Sequence, residues 1–163
     1  MNIRADACET SDGIRIDPYY VMEAPDWVHI VPFDSAGRLL ITRQYRHGNQ
    51  DIQWELPCGM VDETDSSPLA AARRELLEET GCEGKEYSEL PTIYANPMRQ
   101  TNRIYGFVAH DVEIIAKPNQ DESENIQFEF MEVDKVLQHL RDGQFPNALL
   151  VASLMMVLSK HFH

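Results

Sequence analysis

Cysteine is scarce in this sequence, and what little there is excludes a class of fold. Cys8, Cys58 and Cys82 form an odd set without C-x-x-C spacing. A disulfide framework is therefore not expected, and a reducing, cytoplasmic setting is. No apolar run reaches the roughly 18 residues that a membrane span needs. Met1 to Asp6 is too polar for the apolar stretch of a signal peptide. Positive charge is short as well: 14 Lys and Arg stand against 27 Asp and Glu, for a net charge of −13. A nucleic-acid backbone or an anionic membrane needs clustered bases, so neither partner is expected. A small anionic substrate remains open if the site supplies its own positive charge, most simply as metal ions. The sequence also lacks G-x-x-x-x-G-K-[ST] and G-x-G-x-x-G phosphate loops, zinc-like His and Cys pairing and a Ser-centred nucleophile elbow.

The 163 residues fit one domain, long enough to bury a core. No repeat, low-complexity tract or linker divides them. Residues 14–23 read as a strand or hairpin, Asp26 to Phe33 as a strand with Val28, Ile30 and Pro32 alternating against Trp27, His29 and Val31, and Arg38 to Tyr45 as a second strand joined to it by a turn at Ser35-Ala36-Gly37, a hairpin that starts the sheet. Trp54 to Gly59 is a short strand ending in a loop. Ser67 suits a helix N-cap, Pro68 the first helical position and Gly81 the stop. Arg103 to Val112 and Asn125 to Val133 read as further strands. Asp134 caps a helix over 135–141, stopped by Gly143, and Pro146 or Asn147 opens an apolar helix through Leu158. Strands, helix, strands, helices in that order predict an α/β fold, an α/β/α sandwich around a mixed sheet.

The chemistry lies in Arg74-Glu75-Leu76-Leu77-Glu78-Glu79-Thr80-Gly81-Cys82. On a helix, positions three and four apart share a side, so Glu75, Glu78 and Glu79 crowd together and repel. A divalent cation turns that repulsion into ligation, since carboxylate oxygens suit Mg²⁺. A solvated acidic face is the plain alternative. Leu69, Ala72 and Leu76 mark the opposite face, which can dock on a sheet.

The order of these residues resembles the second half of the Nudix box, G-x5-E-x7-R-E-U-x-E-E-x-G-U, with U a bulky apolar residue. All seven constrained positions are filled, a coincidence on the order of 10⁻⁵ at average residue usage. The first half departs from the pattern: Ser66 stands where the box has Glu, and Gly59 lies one position too far from Arg74. Glu63 or Asp65 is the candidate to fill the missing role. Gln44-Tyr45-Arg46 and Trp54-Glu55-Leu56-Pro57-Cys58-Gly59-Met60-Val61 are similar to runs in ADP-ribose pyrophosphatases and nucleoside-diphosphate-sugar hydrolases, and the resemblance runs from about Trp27 to Leu154.

The resemblance implies a single Nudix hydrolase domain over 1–163 that cleaves a nucleoside diphosphate linked to a sugar into a monophosphate and a sugar phosphate. Glu75, Glu79 and the backbone carbonyl of Cys58 would hold Mg²⁺, or Mn²⁺, with Glu78 an auxiliary ligand or a base and Arg74 the orienter. Glu124 or Glu122 would handle the proton of the attacking water. Arg46 would contact phosphates, and Glu55 would be catalytic or a structural ion-pair partner. Tyr19, Tyr20 or Trp27 would stack on the base. Gln100-Thr101-Asn102 replaces the Ser-x-Glu-type pattern of enzymes acting on ADP-ribose. A homodimer built on the N-terminal 25 or so residues is expected. A weakly catalytic nucleotide-sugar sensor and a nucleoside triphosphate hydrolase are the alternatives.

Overall fold

The computed structural model describes residues 2–121 and 125–159. The chain begins with a two-stranded antiparallel ribbon, β1 (Asn2–Glu9) and β2 (Arg15–Glu23), which forms a sheet of its own. Next come β3 (Trp27–Pro32), β4 (Leu39–Arg46), β5 (Asp51–Glu55), β6 (Cys58–Met60) and helix α1 (Pro68–Thr80). Four short or edge strands and one long one follow: β7 (Cys82–Glu83), β8 (Glu86–Glu89), β9 (Ile93–Tyr94), β10 (Arg103–His110) and β11 (Glu113–Ile114). Strand β12 (Gln127–Met131) and helices α2 (Val133–Arg141) and α3 (Ala148–Leu158) close the chain.

One sheet runs β6-β3-β10-β8, with β9 also on β10; another runs β12-β4-β5; β11 pairs β7. Strand β10 is parallel to β3 while β6 and β8 pair antiparallel, so the first sheet is mixed. The side-chain period of two sorts the core into two halves. Val28 and Ile30 of β3 and Leu40 of β4 pack with Ala71, Ala72 and Leu76 of α1. Val31, Leu39 and Ile41 point the other way, onto Val136 and Leu137 of α2 and Leu150, Leu154 and Leu158 of α3. Helices thus cover both faces, as the sequence predicts.

Three local expectations are corrected. Strands β3 and β4 do not form the hairpin that starts the sheet: they lie in different sheets and share a single bridge, Phe33 to Leu39. Strand β3 and the first half of β4 are buried on both faces; β3 pairs with β10 and β6, while β4 pairs with the distant β12 and, in a hairpin, with β5. Asp134 is not a cap. It lies in the first turn of α2, where Glu132 is the boundary residue and makes no capping hydrogen bond. By contrast Ser67 caps α1, its Oγ accepting from the Ala70 amide at 3.1 Å, which is worth about 1 kcal/mol. Gly81 ends α1 at φ 71°, its amide donating to the Leu77 carbonyl.

The stretch read as one strand, Trp54 to Gly59, is two. Glu55 pairs with Thr42 in the second sheet and Cys58 with His29 in the first. Pro57, with no amide proton to give to a ladder, stands at the crossing, and its carbonyl accepts from the Ile30 amide at 2.9 Å. Glu55, Cys58 and Gly59 are therefore fixed at the junction of the two sheets.

Candidate active site

Helix α1 carries its acids to that junction. Glu79 is 5 % exposed, and Glu75 keeps only part of its side chain in solvent. The Glu75 carboxylate lies directly over Gly59: a β-carbon built there would stand 2.1 Å from its Oε1. Burial, and then the negative charges of Glu79 and Glu55 and a smaller contribution from Glu75, push the Cys58 thiol well above its ordinary pKa. A protonated, buried thiol leaves the Cys58 backbone as the feature of chemical interest. Three carboxylates thus converge on one strand end.

Arginines organise them. Arg74 donates to Asp65 through Nε and Nη2 (3.1 and 2.9 Å), to Glu75 and Glu78 through Nη1 (2.8 and 3.0 Å) and to the Met60 carbonyl (3.0 Å). Hydrogen bonding to Asp65 is the largest influence holding the Arg74 guanidinium charged, and Asp65 in turn is held below the usual carboxylate range. Of the two candidates for the missing box glutamate, Asp65 reaches Arg74, while Glu63 is exposed. Arg46 makes a forked pair with Glu55, at 2.8 Å from Nε to Oε1 and 2.6 Å from Nη2 to Oε2. Glu55 is 1 % exposed, and removing Arg46 would leave a buried carboxylate without its ion-pair partner.

The acid-rich end of α1 also meets a loop. Asn119 donates its amide to the Glu78 carbonyl at 2.8 Å, and Gln120 Nε2 bridges the carbonyls of Glu79 (2.9 Å) and Ile126 (2.8 Å). Glu122 and Glu124 themselves lie outside the described residues.

A cavity of about 740 Å³ opens beside this cluster. Arg46, Glu55 and Cys58 line it, together with Trp27, His29 and Asn102. Trp27 is therefore placed at the cavity. Tyr20 is not: it is exposed on the ribbon, while the Tyr19 hydroxyl donates to the Met98 carbonyl. His29, which the sequence did not single out, bonds through Nδ1 to Ser153 Oγ at 2.9 Å; burial lowers its pKa to about 4, so it is neutral at pH 7. A smaller hollow of about 320 Å³ at the start of α1, lined by Ser67, Pro68 and Tyr105, lies away from the acids.

Among the described residues, no three His, Cys, Asp or Glu side chains are grouped so as to enclose a metal ion. The donor types nonetheless suit a hard divalent cation: carboxylate oxygens from Glu75 and Glu79 and a backbone carbonyl at Cys58. The side-chain-free surface of Gly59 against the Glu75 carboxylate is the local sign of that fit.

The NUDIX domain family model matches residues 24–152. An ADP-ribose pyrophosphatase of Mycobacterium tuberculosis is 24 % identical over 131 residues, 80 % of this chain and 63 % of that protein. The chain thus spans less than two thirds of that relative's length. A GDP-mannose pyrophosphatase of Salmonella paratyphi B is 28 % identical over 131 residues, 76 % of this chain and 68 % of that one. The crystal structure of an ADP compounds hydrolase superposes with a TM-score of 0.81 at 24 % identity, covering 99 % of this chain and 94 % of the other, a likeness of fold.

Proposed function

The chain belongs to the NUDIX family, and from that premise we propose that it hydrolyses the diphosphate bond of a nucleoside diphosphate joined to a sugar, as in ADP-ribose or a nucleoside-diphosphate sugar. The products are a nucleoside monophosphate and a sugar phosphate. The observation that carries this reading is the convergence of Glu55, Glu75 and Glu79 on Cys58, with Glu55 and Cys58 lining a 740 Å³ cavity. The relatives, an ADP-ribose pyrophosphatase and a GDP-mannose pyrophosphatase, support the same substrate class.

Glu75, Glu79 and the Cys58 carbonyl would hold Mg²⁺ or Mn²⁺, with Glu78 auxiliary; the cation would neutralise phosphate oxygens and acidify water. Arg74 orients Glu75 and Glu78 by donating to both. Arg46, anchored by Glu55 through Nε and Nη2, presents its remaining nitrogen to a phosphate. Glu124 or Glu122 accepts the proton of the attacking water, Glu78 being the substitute. Trp27 offers an aromatic surface to the base.

The test is a panel of ADP-ribose, nucleoside-diphosphate sugars, dinucleoside polyphosphates and nucleoside triphosphates, with and without Mg²⁺, products separated by chromatography. Monophosphate release from one diphosphate-sugar class, only with metal, is expected. Binding without turnover would replace this reading with a sensor, and preferential attack on triphosphates would move the substrate class.

No helix among the described residues is long and apolar enough to cross a membrane; a cytoplasmic enzyme without nucleic-acid or membrane partners is our reading of the composition. The ribbon β1–β2 exposes Ile3, Ile14, Ile16 and Tyr20, and we take it as the pairing surface of a homodimer. Light scattering at micromolar concentration should give twice the chain mass; the mass of one chain would reject the dimer.

A further inference from the structure

One wall of the large cavity carries a polar group the fold itself does not use. Asn102 is 7 % exposed, and its Oδ1 is buried and accepts no hydrogen bond among the described residues. A buried amide oxygen without a donor is destabilising, and folded proteins rarely keep one. The segment around it is not slack. The Met22 amide donates to the Arg99 carbonyl at 2.7 Å and the Thr101 amide to the Met22 carbonyl at 3.1 Å, while the Arg103 amide donates to Asp26 Oδ1 at 2.7 Å. Both neighbours are tied down, and Asn102 is held at the cavity wall between them.

Its place along the cavity says what it would meet. Cys58 pairs across with His29, and Ile104 with Trp27. Asn102 is thus two strands over and about four residues along from Cys58, on the order of 16 Å by strand spacing and rise. A ligand whose diphosphate lies against Arg46 and Cys58 has its phosphates well short of that point; what arrives there is the base or the sugar.

We infer that Asn102 is a specificity-determining residue, its Oδ1 accepting a hydrogen bond from an N–H or O–H of the group at the far end of the diphosphate: a nucleobase amino group or a sugar hydroxyl. This rests on the diphosphate-conjugate reading above. It explains why an unsatisfied amide persists in a well-latched segment: the donor comes with the ligand. A site built to pair with such a donor rejects analogues that lack it, because the amide is then left buried and unpaired.

Two variants test it, Asn102→Leu, near in shape but without polar atoms, and Asn102→Asp, which keeps an acceptor. Each is assayed with wild type on two substrate series, one with a constant sugar and varied base (ADP-ribose against IDP-ribose, which lacks the amino group), the other with a constant base and varied sugar. For N102L we expect kcat/KM on the preferred substrate to fall roughly tenfold or more, mainly through KM, with discrimination collapsing in one series; that series identifies the donor as base or sugar. N102D should retain the preference. The melting temperature of ligand-free N102L should equal or exceed that of wild type, which an amide kept for structure would not allow. Unchanged discrimination in both series means that Asn102 holds only water, and overturns the inference while leaving the diphosphate reading intact. If wild type hydrolyses no member, that reading fails by itself, and calorimetric binding of AMP, IMP and ribose 5-phosphate to the same variants decides: lost selectivity in N102L upholds the inference, and unchanged selectivity or no binding ends it.

Discussion

Glu79→Gln should turn over the preferred substrate at least about 100-fold more slowly than wild type, with secondary structure and melting temperature close to unchanged. The two side chains have the same shape and nearly the same helix propensity, so α1 survives the exchange. What is lost is one negative charge at a position 5 % exposed, close enough to Cys58 and Arg46 to act on both. If Glu79 binds a divalent cation, a neutral amide oxygen is a much poorer ligand, and the charge that stabilises the reacting phosphate goes with it. Removing one oriented electrostatic group from an enzyme site typically costs 10² to 10³ in kcat, about 3–4 kcal/mol. The measurement is steady-state kinetics across a Mg²⁺ titration. Loss of rate together with a rightward shift in the Mg²⁺ dependence fits a ligand. A rate near that of wild type would remove Glu79 from the metal site.

The carboxylate cluster was legible in the sequence because helix geometry alone brings positions 75, 78 and 79 to one side, and because Ser67, Pro68 and Gly81 mark both ends of the helix that does it. The two cores were legible for a similar reason: alternation in β3 divides Val28 and Ile30 from Val31. Pairing was not. The turn at 35–37 has the left-handed glycine of a hairpin, Gly37 at φ 79°, yet β3 finds its parallel partner more than seventy residues away, and local pattern does not encode that choice. Similarly, Glu55 could not be assigned as ion-pair partner or catalyst until β4 and β5 were seen to set Arg46 beside it. The deviation in the first half of the box was visible, and Asp65 was one of two candidates; only the fold separates it from Glu63, through its forked contact with Arg74. His29 left no signal, and Asn102 stood out only within Gln100-Thr101-Asn102, as a departure from the Ser-x-Glu-type pattern. Their interest lies in burial and in what they face, which are tertiary facts.

The least conspicuous residue of the site yields the other large expected effect. Gly59→Ala should lower kcat by roughly two orders of magnitude or more while leaving the melting temperature within a few degrees of wild type. Gly59 does not need glycine for its backbone, since it is not among the positive-φ glycines. The requirement is space: an alanine β-carbon would come 2.1 Å from Cδ and Oε1 of Glu75 and 2.4 Å from Oε2. No real carbon tolerates that approach, so something must move. The atoms in the way are the far end of a flexible side chain and not backbone, and a shifted glutamate rotamer costs little stability. The chemistry is less forgiving. Glu75 leaves the place where Arg74 Nη1 holds it at 2.8 Å, and a ligand displaced by about an ångström can cost 100-fold in rate. Activity loss without unfolding therefore separates two accounts of Gly59. If it merely fills a tight turn, G59A loses stability and activity together. If it makes room for a metal-binding carboxylate, activity falls alone, and excess Mg²⁺ recovers only part of it. A G59A enzyme with wild-type kinetics would show that the Glu75 carboxylate need not lie against the strand, and would remove the close packing on which the placement of the metal site depends.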